Sequence, residues 1–132
     1  MHETAKDAKS AKDGHGIEDD ESSPCPPRCA LTYHLDGTTA LQHLETLLGI
    51  EALDAIEWTP QAGKPGGGSP EWYGLYRRVL AAGKSVQAIG ARPEEVVPLI
   101  EAVGPKGLFI LTGTADQASA EALLAAVEPY RR

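Results

Sequence analysis

A histidine and a carboxylate lie two positions apart at the end of the first candidate strand. His34 and Asp36, in the run Tyr33-His-Leu-Asp-Gly37, alternate by two, so on a strand their side chains face the same side. Such a pair can bind a divalent metal such as zinc, or act as a catalytic base with its orienting partner. The alternative is that Asp36 caps the next helix while His34 fills the top of the strand.

Four further polar or aromatic side chains lie where later candidate strands end. Glu57 and Trp58 end the second strand, Arg92 follows the third at the start of a helix, and Thr114 follows the fourth. Ligands bind beyond the carboxyl ends of the strands in parallel α/β architectures. We therefore expect these four residues to contact a substrate, with Arg92 suited to an anion. The alternatives are a solvated strand-end position for Glu57 and an ordinary surface position for Arg92.

The elements that would position these residues alternate between strand and helix. Short β-type runs begin at Leu31, Asp54, Ser85 and Gly107, and a helical pattern follows each of them. The order predicts an α/β fold of four consecutive βα units with a parallel sheet and right-handed crossovers. The last run is the most apolar, which favours a strand buried on both faces.

Local signals mark the helix boundaries. Ser69-Pro70-Glu71 and Pro93-Glu94-Glu95 are typical helix starts, and Thr39 with Gln42 matches a capping box. The glycine-rich run Gly63–Ser69 lacks the order of a phosphate-binding loop. We expect it to be a flexible lid over a site or a plain connector.

Residues 1–31 differ from the rest in composition. This segment has almost no strongly apolar residues and is rich in Ala, Lys, Asp and Glu, so it cannot offset the entropy of ordering and is predicted to be a disordered tail. Cys25 and Cys29 cannot make a disulfide framework, and no apolar leader is present at the N-terminus. We therefore expect a cytoplasmic location.

The charge and hydropathy of the chain exclude two classes of partner. The 132 residues carry a formal net charge of −7, which disfavours phosphate-driven binding to nucleic acid. The sequence has no run of 18 apolar residues, so no membrane span is expected.

Residues 32–131 resemble the C-terminal half of the uroporphyrinogen decarboxylase superfamily. The segments that carry the resemblance are, in order, Tyr33-His-Leu-Asp-Gly37, Ala40-Leu-Gln-His-Leu-Glu45, Ala55-Ile-Glu-Trp-Thr-Pro-Gln-Ala-Gly63, Trp72-Tyr-Gly-Leu-Tyr-Arg-Arg78, Pro93-Glu-Glu-Val96 and Gly107-Leu-Phe-Ile-Leu-Thr-Gly113. That superfamily consists of (β/α)8 barrels, which take roughly 250 residues. The resemblance therefore implies that residues 32–132 form a partial barrel domain, equivalent to the C-terminal half of a TIM barrel.

The resemblance also implies a metal position. In the corrinoid-dependent methyltransferase branch, zinc is bound by a His-x-Cys-Gly motif and a later cysteine. His34 matches the histidine, Asp36 stands at the first cysteine, and Thr114 falls near the second. A histidine with a carboxylate is a harder ligand set than one containing thiolates. The resemblance therefore does not imply the complete zinc ligand set that activates a thiol.

The implied function is that of the C-terminal part of a decarboxylase or methyltransferase of this superfamily, incomplete as an enzyme by itself. The substrate would be a tetrapyrrole or a methyl-corrinoid, with a divalent metal or a corrinoid as cofactor. The alternative is a non-catalytic half-barrel that pairs with a partner chain, because four βα units leave two open sheet edges and an uncovered face. We expect a second chain or self-association to close the barrel.

Overall fold

Residues 30–131 are described by the structure, which is a computed structural model. Nearly all of the predicted disordered tail, including Cys25 and Cys29, lies outside the described residues. None of the helices within 30–131 is long and apolar enough to cross a membrane.

Four strands alternate with four helices along the described chain. They are β1 (Thr32–Asp36), α1 (Leu44–Leu48), β2 (Ala55–Thr59), α2 (Tyr73–Ala81), β3 (Ser85–Ala91), α3 (Pro93–Val103), β4 (Leu108–Thr112) and α4 (Gln117–Val127), with short 3-10 helices at Thr38–His43, Pro70–Trp72 and Glu128–Tyr130. The strands form one parallel sheet in the order β1-β2-β3-β4. The predicted α/β fold with a four-stranded parallel sheet is confirmed.

The core lies on one face of this sheet. One row across the strands joins Leu35 to Trp58, Trp58 to Ala88 and Ala88 to Ile110. The first three of these side chains are fully buried, and they pack in one cluster with apolar side chains of the helices, among them Leu44, Tyr76 and Leu99. Removing this apolar surface from water is the main driving force for the fold.

The opposite face, which we call the open face, carries no helix within residues 30–131. Its members alternate with the core residues along the strands: Thr32, His34, Asp36, Ala55, Glu57, Thr59, Ser85, Gln87, Ile89, Phe109 and Leu111. Phe109 and Leu111 are 59% and 49% exposed. The prediction that β4 is buried on both faces is therefore wrong, because the helices pack on one side of the sheet only.

The helix starts follow the sequence signals in two cases out of three. The Ser69 hydroxyl accepts from the Glu71 amide at 3.3 Å, and Pro93 opens α3 as expected. The predicted capping box at Thr39 and Gln42 is wrong, since the N-cap of that segment is Gly37, which has no side chain. The loop after β2 holds this turn instead, because the amide and hydroxyl of Thr38 donate to Gln61 Oε1 at 3.2 and 2.9 Å.

A buried lysine braces the amino-terminal end of the sheet. Lys84 is buried just before β3, and its Nζ donates to the carbonyls of Ile50 and Leu53 at 2.7 and 2.8 Å. Both carbonyls belong to the connection between α1 and β2. The ammonium group thus satisfies the Leu53 carbonyl and gives a second donor to the Ile50 carbonyl, which also accepts from the Leu53 amide at 3.1 Å.

Candidate functional site

Three side chains form a hydrogen-bonded corner at the carboxyl ends of β1 and β2. His34 and Glu57 are direct partners in the register of the two strands. His34 Nε2 lies 3.0 Å from Thr59 Oγ1 and 3.7 Å from Glu57 Oε1, and Thr59 Oγ1 donates to Glu57 Oε1 at 3.4 Å. We call His34, Glu57 and Thr59 the polar corner.

The geometry of the polar corner orients the imidazole ring. A hydroxyl has one proton to donate, and that of Thr59 points to Glu57. When Thr59 donates to Glu57, the hydrogen bond between His34 and Thr59 requires the tautomer in which Nε2 of His34 carries the ring proton and is the donor. The chain from ring to hydroxyl to carboxylate is a short path along which a proton can be held or moved.

Thr59 was not among the candidate residues, although a sequence signal for it exists. It lies two positions after Glu57 on β2, so it shares the open face by the alternation that pairs His34 with Asp36. Its contact with His34 joins residues 25 positions apart, and only the pairing of β1 with β2 brings them together.

Asp36 lies on the same face as His34 and is paired with Thr59 in the register. It does not cap the following 3-10 helix, since Gly37 is the N-cap there and the Thr38 amide donates to Gln61 instead. Its side chain remains exposed at the mouth of the polar corner, where it can accept a hydrogen bond from a ligand.

The metal ligands predicted from the sequence, His34 and Asp36, share the open face of β1. Within residues 30–131 no group of three His, Cys, Asp or Glu side chains is placed to hold a metal ion. Thr114, the third position implied by the resemblance, donates its hydroxyl to the carbonyl of Asp116 at 3.2 Å. The three or four His, Cys, Asp or Glu ligands of structural and catalytic zinc sites are not brought together within residues 30–131.

Trp58 and Arg92 do not join the polar corner. Trp58 is fully buried on the core face and packs edge to face on Trp72, with ring centroids 4.9 Å apart. Arg92 lies at the N-cap of α3, where Glu94 and Glu95 contact it at 3.1 and 2.8 Å. The hydrogen bond and charge of Glu95, with the charge of Glu94, raise the pKa of Arg92. Its guanidinium is thus already paired with two carboxylates.

The glycine-rich loop is packed against the end of β3. The Gly67 amide donates to the Ile89 carbonyl at 2.8 Å, and the buried Tyr76 hydroxyl donates to the Gly67 carbonyl at 2.5 Å. Trp72 Nε1 donates to the carbonyl of Pro65 at 3.1 Å. The loop is a fixed connector in this structure, which favours the second of the two expectations for it.

An apolar groove lies at the other edge of the sheet, beside β4. Its volume is about 830 Å³, and its walls include Leu108 and Ile110 of β4 and Leu123 and Leu124 of α4. No residue of the polar corner lines it. The described chain thus separates a polar site on β1 and β2 from an apolar surface on β4.

Comparisons with known proteins found no matching family model, curated protein or solved structure. The resemblance to the uroporphyrinogen decarboxylase superfamily therefore stays a prediction.

Proposed function

We propose that this chain is the C-terminal half of a uroporphyrinogen decarboxylase-like barrel, and that its polar corner forms one wall of a small-molecule site. The observation that carries the proposal is the position of His34, Glu57 and Thr59 on the open face, at the carboxyl ends of parallel strands in sequential order. Ligand sites of barrels built from βα units occupy this position. A partner chain would supply the other wall.

A tetrapyrrole fits the corner better than a methyl group that is transferred to a thiol. Zinc-assisted thiol chemistry uses soft thiolate ligands, and residues 30–131 contain no cysteine. Glu57 and Asp36 are acceptors for N–H donors such as those of pyrrole rings. His34 presents an imidazole, the side chain that most often transfers protons in enzymes.

The chemistry of decarboxylation assigns a role to His34. When a carboxylate leaves as CO2, the carbon atom left behind takes up one proton in its place. The imidazolium of His34 would deliver that proton, and Thr59 with Glu57 would hold the ring in position through the contacts at 3.0 and 3.7 Å. These residues supply the acid and contact the substrate, and the partner chain would supply the remaining substrate contacts.

A second candidate is a non-catalytic subunit that pairs with a partner chain. The observation in its favour is the exposure of Phe109 and Leu111 on β4. Large apolar side chains that stand together on an uncovered face are typical of a protein interaction surface. In this case the polar corner would be a wall of the interface.

Porphyrin binding by the full chain tests the proposal. We would titrate uroporphyrin with the full-length chain, alone and mixed with the N-terminal half of a uroporphyrinogen decarboxylase, and follow porphyrin fluorescence. His34→Ala should raise the Kd for uroporphyrin about tenfold, which corresponds to a loss of roughly 1.4 kcal/mol of binding free energy. His43→Ala, which changes an exposed histidine outside the corner, should bind as the parent does.

Two results would contradict the proposal. One is the absence of porphyrin binding in both settings. The other is equal binding by the parent, His34→Ala and Thr59→Val chains, since the polar corner would then have no part in the site.

A further inference from the structure

We infer that two copies of this chain pair edge to edge and close an eight-stranded parallel barrel. In this arrangement β4 of each copy is hydrogen-bonded to β1 of the other. The inference rests on the half-barrel architecture of the proposed function and identifies the partner chain as a second copy. Four strands from each copy make the eight that a closed barrel of this kind contains.

The outer edge of β4 has a helix beside it but no strand within residues 30–131. The groove of about 830 Å³ runs between β4 and α4. No residue of α4 is buried, and Leu124, which lines the groove, is 63% exposed. In a parallel sheet a crossover helix covers its own strand and the next one. The groove therefore has the place and the apolar walls that a fifth strand would fill.

The outer edge of β1 has the complementary deficit, because the amino-terminal part of this strand has exposed apolar side chains on the core face. Tyr33 is paired with the buried Ile56, so it points to the core face, yet it is 42% exposed. Leu31 lies two positions earlier and is 52% exposed. These apolar side chains match the underside of α4, where Leu123 and Leu124 face the groove.

The charges at the amino-terminal ends of the two edges are opposite. Lys106 lines the groove and lies two residues before β4, whereas Arg131, which also lines it, is already paired with Glu128 at 3.1 Å. Glu51 is exposed in the connection between α1 and β2, and this connection lies beside the start of β1, because the Asp54 amide donates to the Leu31 carbonyl. Parallel pairing of β4 with β1 brings these ends together, which favours the correct partner and register.

A second copy satisfies both edges at the same time. Each copy offers one groove and one uncovered strand edge, so a two-fold arrangement leaves no edge unpaired. A rotation between copies that did not close would build an open fibre. Closure also encloses Phe109 and Leu111, which the single chain leaves 59% and 49% exposed. Unpaired edges are otherwise sites of aggregation.

Sedimentation equilibrium of the full chain tests the pairing. The mass of one chain is 14.0 kDa, and we expect the particle to have the mass of two chains. Leu124→Glu and Tyr33→Asp each place a charge in the proposed contact between β4 and β1, which we call the seam. Each variant should have the mass of a single chain. Ala125→Glu, an exposed position on α4 that does not line the groove, should remain a dimer. Circular dichroism verifies that each variant is folded.

The outcomes separate this inference from the proposed function. A monomer at every concentration, a dimer unaffected by both seam variants, or assemblies larger than two would overturn the pairing. A monomer would mean that the groove takes another occupant, either a different chain or residues 1–29 of this one. A dimer that binds no porphyrin would support the pairing and contradict the proposed function.

Discussion

His34 and Phe109 occupy the two ends of one row on the open face. His34 is paired with Glu57, Glu57 with Gln87, and Gln87 with Phe109. The first end of the row is polar and hydrogen-bonded, and the other is an exposed aromatic side chain. One face of the sheet thus carries both a corner suited to chemistry and a surface suited to packing.

Tyr76→Phe should destabilise the fold through the glycine-rich loop. The hydroxyl of Tyr76 is buried and donates to the Gly67 carbonyl, so its removal leaves a buried acceptor without a partner. The expected loss is about 1–3 kcal/mol of unfolding free energy, measured by urea denaturation. Tyr73→Phe on the same helix is the control, since the Tyr73 hydroxyl makes no hydrogen bond within residues 30–131. Equal losses in the two variants would contradict this role.

Tyr76 should also make the free energy of unfolding depend on pH in the alkaline range. Burial, with the charge of Glu95 adding to it, raises the pKa of Tyr76 above its ordinary value of 10.0. The folded chain therefore keeps the phenol proton at pH values where the unfolded chain has lost it. The stability that this phenol contributes is complete below pH 10.0 and is lost as the pH rises beyond it.

Urea denaturation at pH 8 to 11 of the parent and Tyr76→Phe chains measures this effect. The advantage of the parent should shrink above pH 10, by up to about 1.4 kcal/mol per pH unit. The comparison cancels the titration of the lysines that both chains share. An advantage that stays constant across this range would show that Tyr76 titrates alike in both states.

Gly67→Ala and Gly74→Ala should have opposite effects on stability. A Cβ at Gly67 would lie 2.4 Å from the Ile89 carbonyl oxygen and 2.7 Å from its amide nitrogen, so backbone must move, at a cost of about 1–3 kcal/mol. A Cβ at Gly74, in α2, meets nothing within 4 Å, and the helix should gain roughly 0.5–1 kcal/mol. Thermal or urea denaturation compares them. A tolerated Gly67→Ala would show that the loop does not pack on β3 in solution.

Asp116→Ala should loosen α4 rather than the whole chain. Asp116 is the N-cap, and its carboxylate accepts from the Ser119 amide at 2.7 Å. No residue of α4 is buried, so the loss of the cap, worth about 0.5–2 kcal/mol, appears as local opening. Amide hydrogen exchange in α4 should rise roughly 2- to 30-fold.

Asp116→Asn separates the cap from its charge. The amide side chain still caps the helix but does not titrate, so exchange in α4 should be close to that of the parent at neutral pH. The hydrogen bond with Ser119 lowers the pKa of Asp116 below its ordinary value of 3.8. In the parent, protection is complete above that value and is lost as the pH falls through the lowered pKa. The Asn variant should not show this loss.

Much of the candidate site follows from local rules, and the rest does not. The alternation of a strand places His34 and Asp36 on one face, and the same rule separates Glu57 from Trp58. The pairing of Arg92 with Glu94 and Glu95 involves neighbours on one helix. The contact between His34 and Thr59 is different, because it depends on the register of two strands that the local pattern does not specify.

The sequence by itself determined the order of elements and most of their boundaries, because hydrophobic periodicity, N-cap residues and glycines act over a few neighbouring residues. It also determined which residues share a face of each strand. Only the tertiary structure decided that all four helices pack on one side of the sheet, which leaves Phe109 and Leu111 exposed and keeps Trp58 buried. The physical reason is that burial depends on what lies across the sheet, and β4 has the same apolar sequence whether or not a second layer covers it.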